Sequence, residues 1–492
     1  MLSTTRSELN MPILEDRGLF WWNDKPIPSG AYAPDNAIGG TLTIEDTGAI
    51  RLELDGVMPG DNTIHSHFDS IGQISSKNIQ GILKRDSRYV HLSRIAPNGG
   101  TMNTHGISYE IYIALYCLVS KSAYRMDYSN PLTFRSLRMD LAGLEEWLWL
   151  RAIKVKRRNN SVSARYKKEN DVQFSTSYGK LSIEYDFSGP NRGEYGAKAL
   201  NWKELCSFKF TPSKSLRLND SLNYYNRLEE LIMLLTDSDY SVDWPTLKSG
   251  NGRQISTLYY FRTKNTETAP GAHQCLISFP TIRDNIGFLF SNIVKKREQY
   301  GPGFYLYLGI RRGAKMFVVH RFVNLIWGLE AFDRRGSEKG EAHPPLQAKI
   351  DRILAQITAK KDKEWLEGRL KHATEPKLEK RLLDLFSNLG LPFQKDKLSA
   401  FCEECARLRN DISHFGGVRK GAENYDTFVR RLMKISDAVA SLYHLHLLKE
   451  IGVEPERFDF GTNNNWRLSL MKRYLQEVDL LEPENKVAAA AR

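Results

Sequence analysis

The spacing of apolar residues changes once along this chain, and that change limits the folds it can adopt. From about Gly18 to about Leu200, apolar residues alternate with polar ones in short runs rich in β-branched and aromatic side chains, as in β-strands. From about Gly313 they recur every three to four positions, as in amphipathic helices. A chain of 492 residues also exceeds one ordinary domain. The sequence therefore predicts an α+β multidomain protein, with a β-rich N-terminal region followed by an all-α helical bundle.

The strongest strand signals lie in the first half of the chain. Residues 41–54 alternate between apolar and polar side chains on both sides of an Asp46-Thr47-Gly48 turn, which predicts a β-hairpin. Residues 108–119 and 179–187 have the composition of strands as well. Helical insertions are predicted at residues 144–151 and 224–236.

The second part of the chain is predicted to be a series of helices with ordinary start and stop signals. These helices are residues 316–334, 346–359, 376–389, 396–414 and 425–451. The chain is accordingly divided into a β-rich region at 1–300, a helical bundle at 314–451 and a C-terminal tail at 452–492 that carries no clear signal. A further break near residues 150–170 would split the β-rich region into two subdomains.

One short motif in the predicted helix at residues 396–414 carries chemistry. Arg409 and His414 enclose four residues, and we refer to residues 409–414 as the box. A ribonuclease without a metal needs an imidazole that moves a proton and a guanidinium that holds a phosphate. Asn410 and His414 are four residues apart and share a face, while Arg409 lies about 140° from His414 around the axis. An apolar stripe is predicted to face the core, formed by Phe401, Cys405, Leu408 and Ile412.

The box spacing alone is a weak signal. About one Arg-x4-His pair is expected by chance in a chain of this composition, and His414 would then be a solvated surface histidine beside an ordinary arginine. A polar face opposite the core stripe would instead suit a partner. The same face of a second copy would bring two boxes together and exclude water from both, which favours a homodimer or a higher homo-oligomer.

The charge balance favours an anionic partner. The chain has 70 Lys and Arg residues against 58 Asp and Glu, a net charge of +12, and RNA is the first candidate. The densest basic run contains Lys154, Lys156, Arg157 and Arg158, and Arg311-Arg312 lies near the predicted domain junction. These residues are candidate RNA contacts, although a solvated hairpin face is the more frequent explanation of such a run.

Signals for metals, cofactors and membranes are weak. Cys402 and Cys405 form a CxxC pair without a second pair nearby, and His65 and His67 have no third ligand. No phosphate-binding loop or dinucleotide fingerprint occurs, so we expect no cofactor and no metal. Five cysteines, the absence of a leader-like N-terminus and the charges within residues 316–332 predict a cytoplasmic protein that does not enter the membrane.

The helical region resembles a HEPN domain, a small antiparallel bundle with an Arg-x4-6-His box. The similarity covers residues 314–451, and the box matches the Arg-Asn-x-x-x-His form of the motif. Residues 327–332, Trp-Gly-Leu-Glu-Ala-Phe, resemble the first HEPN helix, where a glutamate is common, and residues 445–452 resemble its closing helix.

The N-terminal region resembles that of ApeA-type anti-phage proteins. The similarity rests on Gly-Leu-Phe-Trp-Trp at residues 18–22, on the 41–54 hairpin and on residues 132–147. Together the two resemblances imply a latent endoribonuclease of abortive infection. Its N-terminal region would sense a phage-derived protein trigger and release the C-terminal ribonuclease, with tRNA as a guess for the RNA that is cut.

The resemblance also implies roles for the residues of the box. His414 would act as general acid and base on the ribose 2′-hydroxyl, and Arg409 would stabilise the phosphate in the transition state. Asn410 and Ser413 are candidates for orienting the imidazole or the phosphate. Glu330 would support Arg409 or His414 from the first helix, although an ordinary surface carboxylate is at least as good an explanation. The products would carry a 2′,3′-cyclic phosphate and a 5′-hydroxyl.

Two other readings stay open. The helical bundle would be a non-catalytic module that binds RNA or regulates a partner if the box were a relic. The β-rich region would itself be an enzyme in the third reading, but it presents no matched acid, base and nucleophile.

Overall fold

The computed structural model divides the chain into two compact units. The β-rich unit is Met1–Glu229 with Tyr240–Ala269, and the helical unit is Glu230–Asp239 with Pro270–Arg492. The described residues are 11–59, 73–101, 103, 105–122, 132–189, 202–238, 240–250, 252, 254–262, 268–312, 316–336, 344–370, 373, 375–417, 423–458, 460 and 465–482.

Antiparallel strands build the β-rich unit, as the alternating sequence predicts. They are β1 (Leu14–Trp22), β2 (Ile38–Ile44), β3 (Ile50–Leu54), β4 (Ile79–Leu83), β5 (Tyr89–Thr101), β6 (Tyr109–Ser120), β7 (Thr133–Asp140), β8 (Ile153–Arg158), β9 (Ser161–Tyr166), β10 (Val172–Thr176), β11 (Gly179–Ser188), β12 (Lys203–Pro212), β13 (Leu216–Arg217), β14 (Thr246–Ser249) and β15 (Ile255–Tyr260). The predicted hairpin is confirmed as β2 and β3, and Gly48 adopts a φ of 78° in its turn, which favours glycine. The predicted strands at 108–119 and 179–187 are confirmed as β6 and β11.

Six of these strands form a closed sheet. They pair in the order β6-β3-β2-β1-β4-β5, and β5 pairs again with β6. The enclosed core is apolar and includes Phe20, Leu42, Leu52 and Leu92, all fully buried. From β6 the sheet continues through β15, β14, β7, β12, β11 and β10, while β8 and β9 form a separate two-stranded hairpin.

Helices dominate the second unit. They are α1 (Leu218–Thr236, whose end belongs to this unit), α2 (Phe279–Ile282), α3 (Ile286–Tyr300), α4 (Pro302–Arg311), α5 (Val318–Gly336), α6 (Pro344–Ala355), α7 (Lys360–Leu370), α8 (Leu378–Ser387), α9 (Lys395–Phe415), α10 (Tyr425–Ile451) and α11 (Trp466–Gln476). The long helix α10 packs against α3, α4, α5, α8 and α11, and α9 packs against α5 and α8. No helix in the described part of the chain is long and apolar enough to cross a membrane.

The structure corrects three expectations. The continuous series of helices begins at residue 279 rather than near 313, because Ile286, Leu289, Phe290 and Ile293 already form a buried helical stripe. The tail contains α11, whose first N–H groups are capped by the Asn465 side chain. Residues 144–151 form turns rather than a helix, and Trp149 there has a φ of 56°.

Candidate active site

The box lies on the outer side of α9. The predicted stripe Phe401, Cys405, Leu408 and Ile412 is buried, so the rest of the helix surface faces away from the core. The helix ends just after the box, where Gly416 adopts a left-handed φ of 71° and donates its N–H to the Ile412 carbonyl at 3.0 Å. His414 is therefore in the last turn of α9.

A carboxylate from another helix holds Arg409. Its Nη2 donates to Oε2 of Glu330 on α5 at 2.9 Å, and its Nη1 donates to Oδ1 of Asn410 at 3.0 Å. Both charged side chains are mostly buried, with exposed fractions of 25% for Arg409 and 17% for Glu330. A guanidinium has five N–H donors, and these two bonds use two of them. Arg409 is thus fixed in place and still has donors for an anion.

The remaining polar residues of the box are open to solvent. Asn410, Ser413 and His414 are exposed, and no described side chain forms a hydrogen bond with Ser413 or His414. Asn410 and His414 share a helix face, and Arg409 is five residues, about 7.5 Å along the axis, from His414. The box thus has an exposed imidazole and, about 140° away around the helix axis, a fixed guanidinium that is one quarter exposed.

Behind Glu330, a series of ion pairs reaches into the helical unit. The other oxygen of Glu330 accepts from Arg334 Nε at 3.2 Å and Nη2 at 3.1 Å, and Arg334 also pairs with Glu375. Glu375 accepts from Arg381 Nη2 at 3.1 Å, and Arg381, which is buried, also pairs with Asp333. Burial opposes the charge of Arg334, but hydrogen bonds and charges from both glutamates outweigh it and raise its pKa.

Sequence reasoning nominated Glu330 but missed the residues behind it. A usable signal was Arg381, which lies one turn before Leu385 on the apolar side of α8 and is buried with it. A buried arginine requires carboxylates or carbonyls nearby, so its partners had to be sought among the acidic residues of neighbouring helices.

The candidate RNA contacts lie elsewhere. Arg311 donates to the Asp237 backbone carbonyl at 2.7 Å and pairs with its carboxylate, and Arg312 caps the end of α4. Lys154, Lys156 and the two arginines that follow are exposed on the β8–β9 hairpin of the β-rich unit. They form no part of the box.

The candidate metal residues give no site that can be described. His65 and His67 lie outside the described residues. Cys402 and Cys405 are both buried, and burial raises the pKa of the Cys402 thiol to about 12, which suits packing rather than metal binding. Within the described ranges, no group of three or more His, Cys, Asp or Glu side chains is placed to hold a metal ion.

Two family models match the chain. The model for ApeA N-terminal domain 1 matches residues 15–293, and the model for the Apea-like HEPN domain matches residues 323–457, which include Glu330 and the whole box. No curated protein and no solved structure matches the chain. The matches confirm the expected family and the order of a β-rich region followed by a HEPN bundle.

Proposed function

The chain belongs to the ApeA family and carries an Apea-like HEPN domain, and on that premise we propose that it is a latent, metal-independent endoribonuclease of anti-phage defence. HEPN domains are generally ribonucleases. The observation that carries the proposal is the fixed Arg409, held by Glu330 with N–H donors to spare, near the same helix end as the exposed His414. This pair is the minimum that the reaction requires.

The proposed reaction uses the nucleophile that RNA supplies. His414 removes the proton of a ribose 2′-hydroxyl, the 2′-oxygen bonds to the adjacent phosphorus, and the bond to the 5′-oxygen breaks. The leaving 5′-oxygen takes up a proton, and the products carry a 2′,3′-cyclic phosphate and a 5′-hydroxyl. Arg409 stabilises the negative charge that grows on the phosphate in the transition state.

We assign supporting roles to three neighbours of this pair. Glu330 is a positioning residue, because its Oε2 fixes the Arg409 guanidinium from α5. Asn410 accepts from Arg409 and leaves its own amide N–H groups exposed, where they suit a phosphate or the imidazole. Ser413 is exposed beside His414, where its hydroxyl suits the imidazole or the phosphate.

We propose that the working enzyme is a dimer or a higher oligomer. HEPN domains often dimerise, and Asn410, Ser413 and His414 are open to solvent in one chain. Electrostatic stabilisation by Arg409 would be much stronger if a second copy excluded water from this surface. The same surface of the partner would bring a second box close to the first.

We further propose that the β-rich unit senses infection through a phage-derived protein and thereby controls the ribonuclease. The net charge of +12 and the exposed hairpin cations support RNA as the substrate class. Transfer RNA is a candidate substrate, because cutting a few abundant adaptors would stop translation.

The test is made in phage-challenged bacteria. RNA ends are sequenced by chemistry that separates 2′,3′-cyclic phosphates from other termini, with wild type, His414→Ala and Arg409→Ala. We expect new cyclic-phosphate ends with the wild type only, since the general acid–base contribution alone is about 10²–10⁴-fold. His320→Ala is the matched control, because His320 is also exposed on a helix but lies outside the box.

The alternative is a non-catalytic RNA-binding or regulatory HEPN module. The contacts of Arg409 with Glu330 and Asn410 also suit that reading, because they give the arginine a structural role. Identical RNA ends in all four strains, with protection against phage retained, would favour the alternative and overturn the nuclease proposal.

A further inference from the structure

A second cluster of arginines surrounds a cavity in the helical unit. The cavity has a volume of about 210 Å³ and lies among α4, α5, α10, α11 and Asp237, which follows α1. Arg311, Arg321 and Arg467 line it, each from a different helix. None of the three falls within the segments that the family models match, residues 15–293 and 323–457. Membership of the family therefore assigns them no role.

The charges around the cavity do not balance. Its three arginines face two carboxylates: Asp237 lies 2.7 Å from Arg311 and 3.7 Å from Arg467, and Asp437 lies 2.6 Å from Arg321. Among the described residues that line the cavity, the three positive and two negative charges leave a formal charge of +1. A bound anion would compensate it.

His444, which lies beside Asp237, does not change this formal charge. The Nε2 atom of His444 lies 2.9 Å from the Leu234 carbonyl, which can only accept, so Nε2 carries the proton. The other ring nitrogen, Nδ1, then accepts from the Tyr307 hydroxyl at 2.6 Å. Burial also lowers the pKa of His444, which keeps the ring neutral beside Asp237.

Two of the arginines retain hydrogen-bond donors. Arg321 uses Nη1 for Asp437, and Arg467 uses Nε for the Gln274 carbonyl at 3.1 Å. Each guanidinium has five N–H groups, so most of those on these two side chains are not used by the described hydrogen bonds. Their planar geometry fits the paired oxygens of a phosphate better than a lysine would.

The lining of the cavity also includes apolar and aromatic residues. Ile310, Leu470, Met471 and Tyr474 line it. Its volume is below the range of about 300–1,000 Å³ that drug-sized ligands occupy, so it suits a compact molecule. We propose that this cavity binds a small phosphomonoester, with the phosphate on Arg321 and Arg467 and the organic part against Leu470 and Tyr474.

The site is tested by calorimetry on the full chain. The probes are inorganic phosphate, ribose 5-phosphate, the four nucleoside 5′-monophosphates, and ribose and the corresponding nucleosides without phosphate. We expect at least one phosphomonoester to bind, and its nucleoside or sugar without phosphate to bind at least tenfold more weakly. Arg321→Gln and Arg467→Gln should each raise the Kd of that probe at least tenfold. If inorganic phosphate bound more tightly than every other probe, the proposed role of the apolar residues would be overturned.

Two control variants separate this site from other phosphate-attracting surfaces. Arg473→Gln changes an exposed arginine of α11, the helix that carries Arg467. Arg409→Ala removes the box arginine. Both substitutions should leave the Kd of the phosphomonoester unchanged. If a glutamine variant does not fold, Arg321→Lys, which keeps the charge but loses the planar fork, should still weaken binding. No binding of any probe to the wild type, or binding that survives both cavity substitutions, would overturn the proposal.

Discussion

The box and the cavity contain the same kind of ion pair in different surroundings. In each, a carboxylate from another helix holds an arginine, at 2.9 Å between Glu330 and Arg409 and at 2.6 Å between Asp437 and Arg321. The neighbours of Arg409 in the box are exposed, whereas Arg321 is one of three arginines around a partly open cavity. Several arginines around a cavity can bind a small anion within one chain. A single arginine beside an open surface reaches comparable strength only when a large substrate or a second copy excludes water.

The largest effect on stability is expected at the buried end of the ion pairs behind the box. Arg381→Met leaves Asp333 and Glu375 without their buried partner, and we expect it to lower the free energy of unfolding by about 3–5 kcal/mol. Urea unfolding followed by far-ultraviolet circular dichroism measures this. Lys380→Met is the matched control, because Lys380 is exposed and pairs with Asp384 one turn away. Equal losses of unfolding free energy in the two variants would show that stability does not depend on the buried ion pairs behind the box.

The next effect concerns the pH dependence of stability, and it follows from a difference between two histidines of α10, His444 and His446. His444 has hydrogen-bond partners beside the cavity, whereas neither ring nitrogen of His446 has one among the described residues. The ring of His446 packs edge-on against Phe332. Burial lowers the pKa of His446 to about 4. Above pH 6.5 this histidine is neutral in both the folded and the unfolded state and contributes nothing. As the pH falls from 6.5 towards 4, the unfolded state takes up the proton first, so stability falls by roughly 3 kcal/mol in total.

The measurement compares urea unfolding of wild type and His446→Leu at several pH values between 7 and about 4.5. His91, whose pKa burial lowers to about 3, is present in both proteins, so the difference isolates His446. We expect the wild type to lose more stability than the variant as the pH falls. Parallel profiles of stability against pH would mean that His446 takes up its proton in the folded protein as readily as in the unfolded state.

The sequence predicted local structure well and the contacts behind the site poorly. The helix at 425–451 has the predicted ends, and the box helix differs by one residue at each end, because a stripe of apolar residues is a local signal. Glu330 was nominated from the resemblance, and its pairing with Arg334 is an i,i+4 contact within α5 that the spacing could have indicated. The contact of α5 with Arg381 depends on how α5 and α8 pack, which no local signal gives. The cavity joins Asp237 to Arg467, and no spacing along the chain relates residues so far apart.

A moderate effect is expected from Glu330→Gln. The amide keeps a hydrogen-bond acceptor for Arg409 but removes the charge, so we expect kcat for RNA cleavage by the activated protein to fall about tenfold. The KM should change little, since Arg409 and its charge remain. Glu330→Asp should restore part of the activity, which a purely structural role would not predict. Faster cleavage by Glu330→Gln would reverse the assignment and mean that Glu330 restrains the arginine.

The smallest effect is expected at the β8–β9 hairpin, where the cations differ from those of both arginine sites. Lys156 is exposed and lies opposite Ser163, with no carboxylate across the strand pair. If it contacts an RNA phosphate, Lys156→Ala should weaken RNA binding a few-fold for every sequence. It should also reduce the slope of log affinity against log salt by about 0.7. Filter binding at several salt concentrations measures both.

Lys168→Ala provides the control for the hairpin, because Lys168 pairs with Asp171 at 3.5 Å and already has a counter-charge. An unchanged salt slope in Lys156→Ala, or an equal change in Lys168→Ala, would remove the hairpin from the RNA interface. Recognition of phosphate would then rest on the box and the cavity.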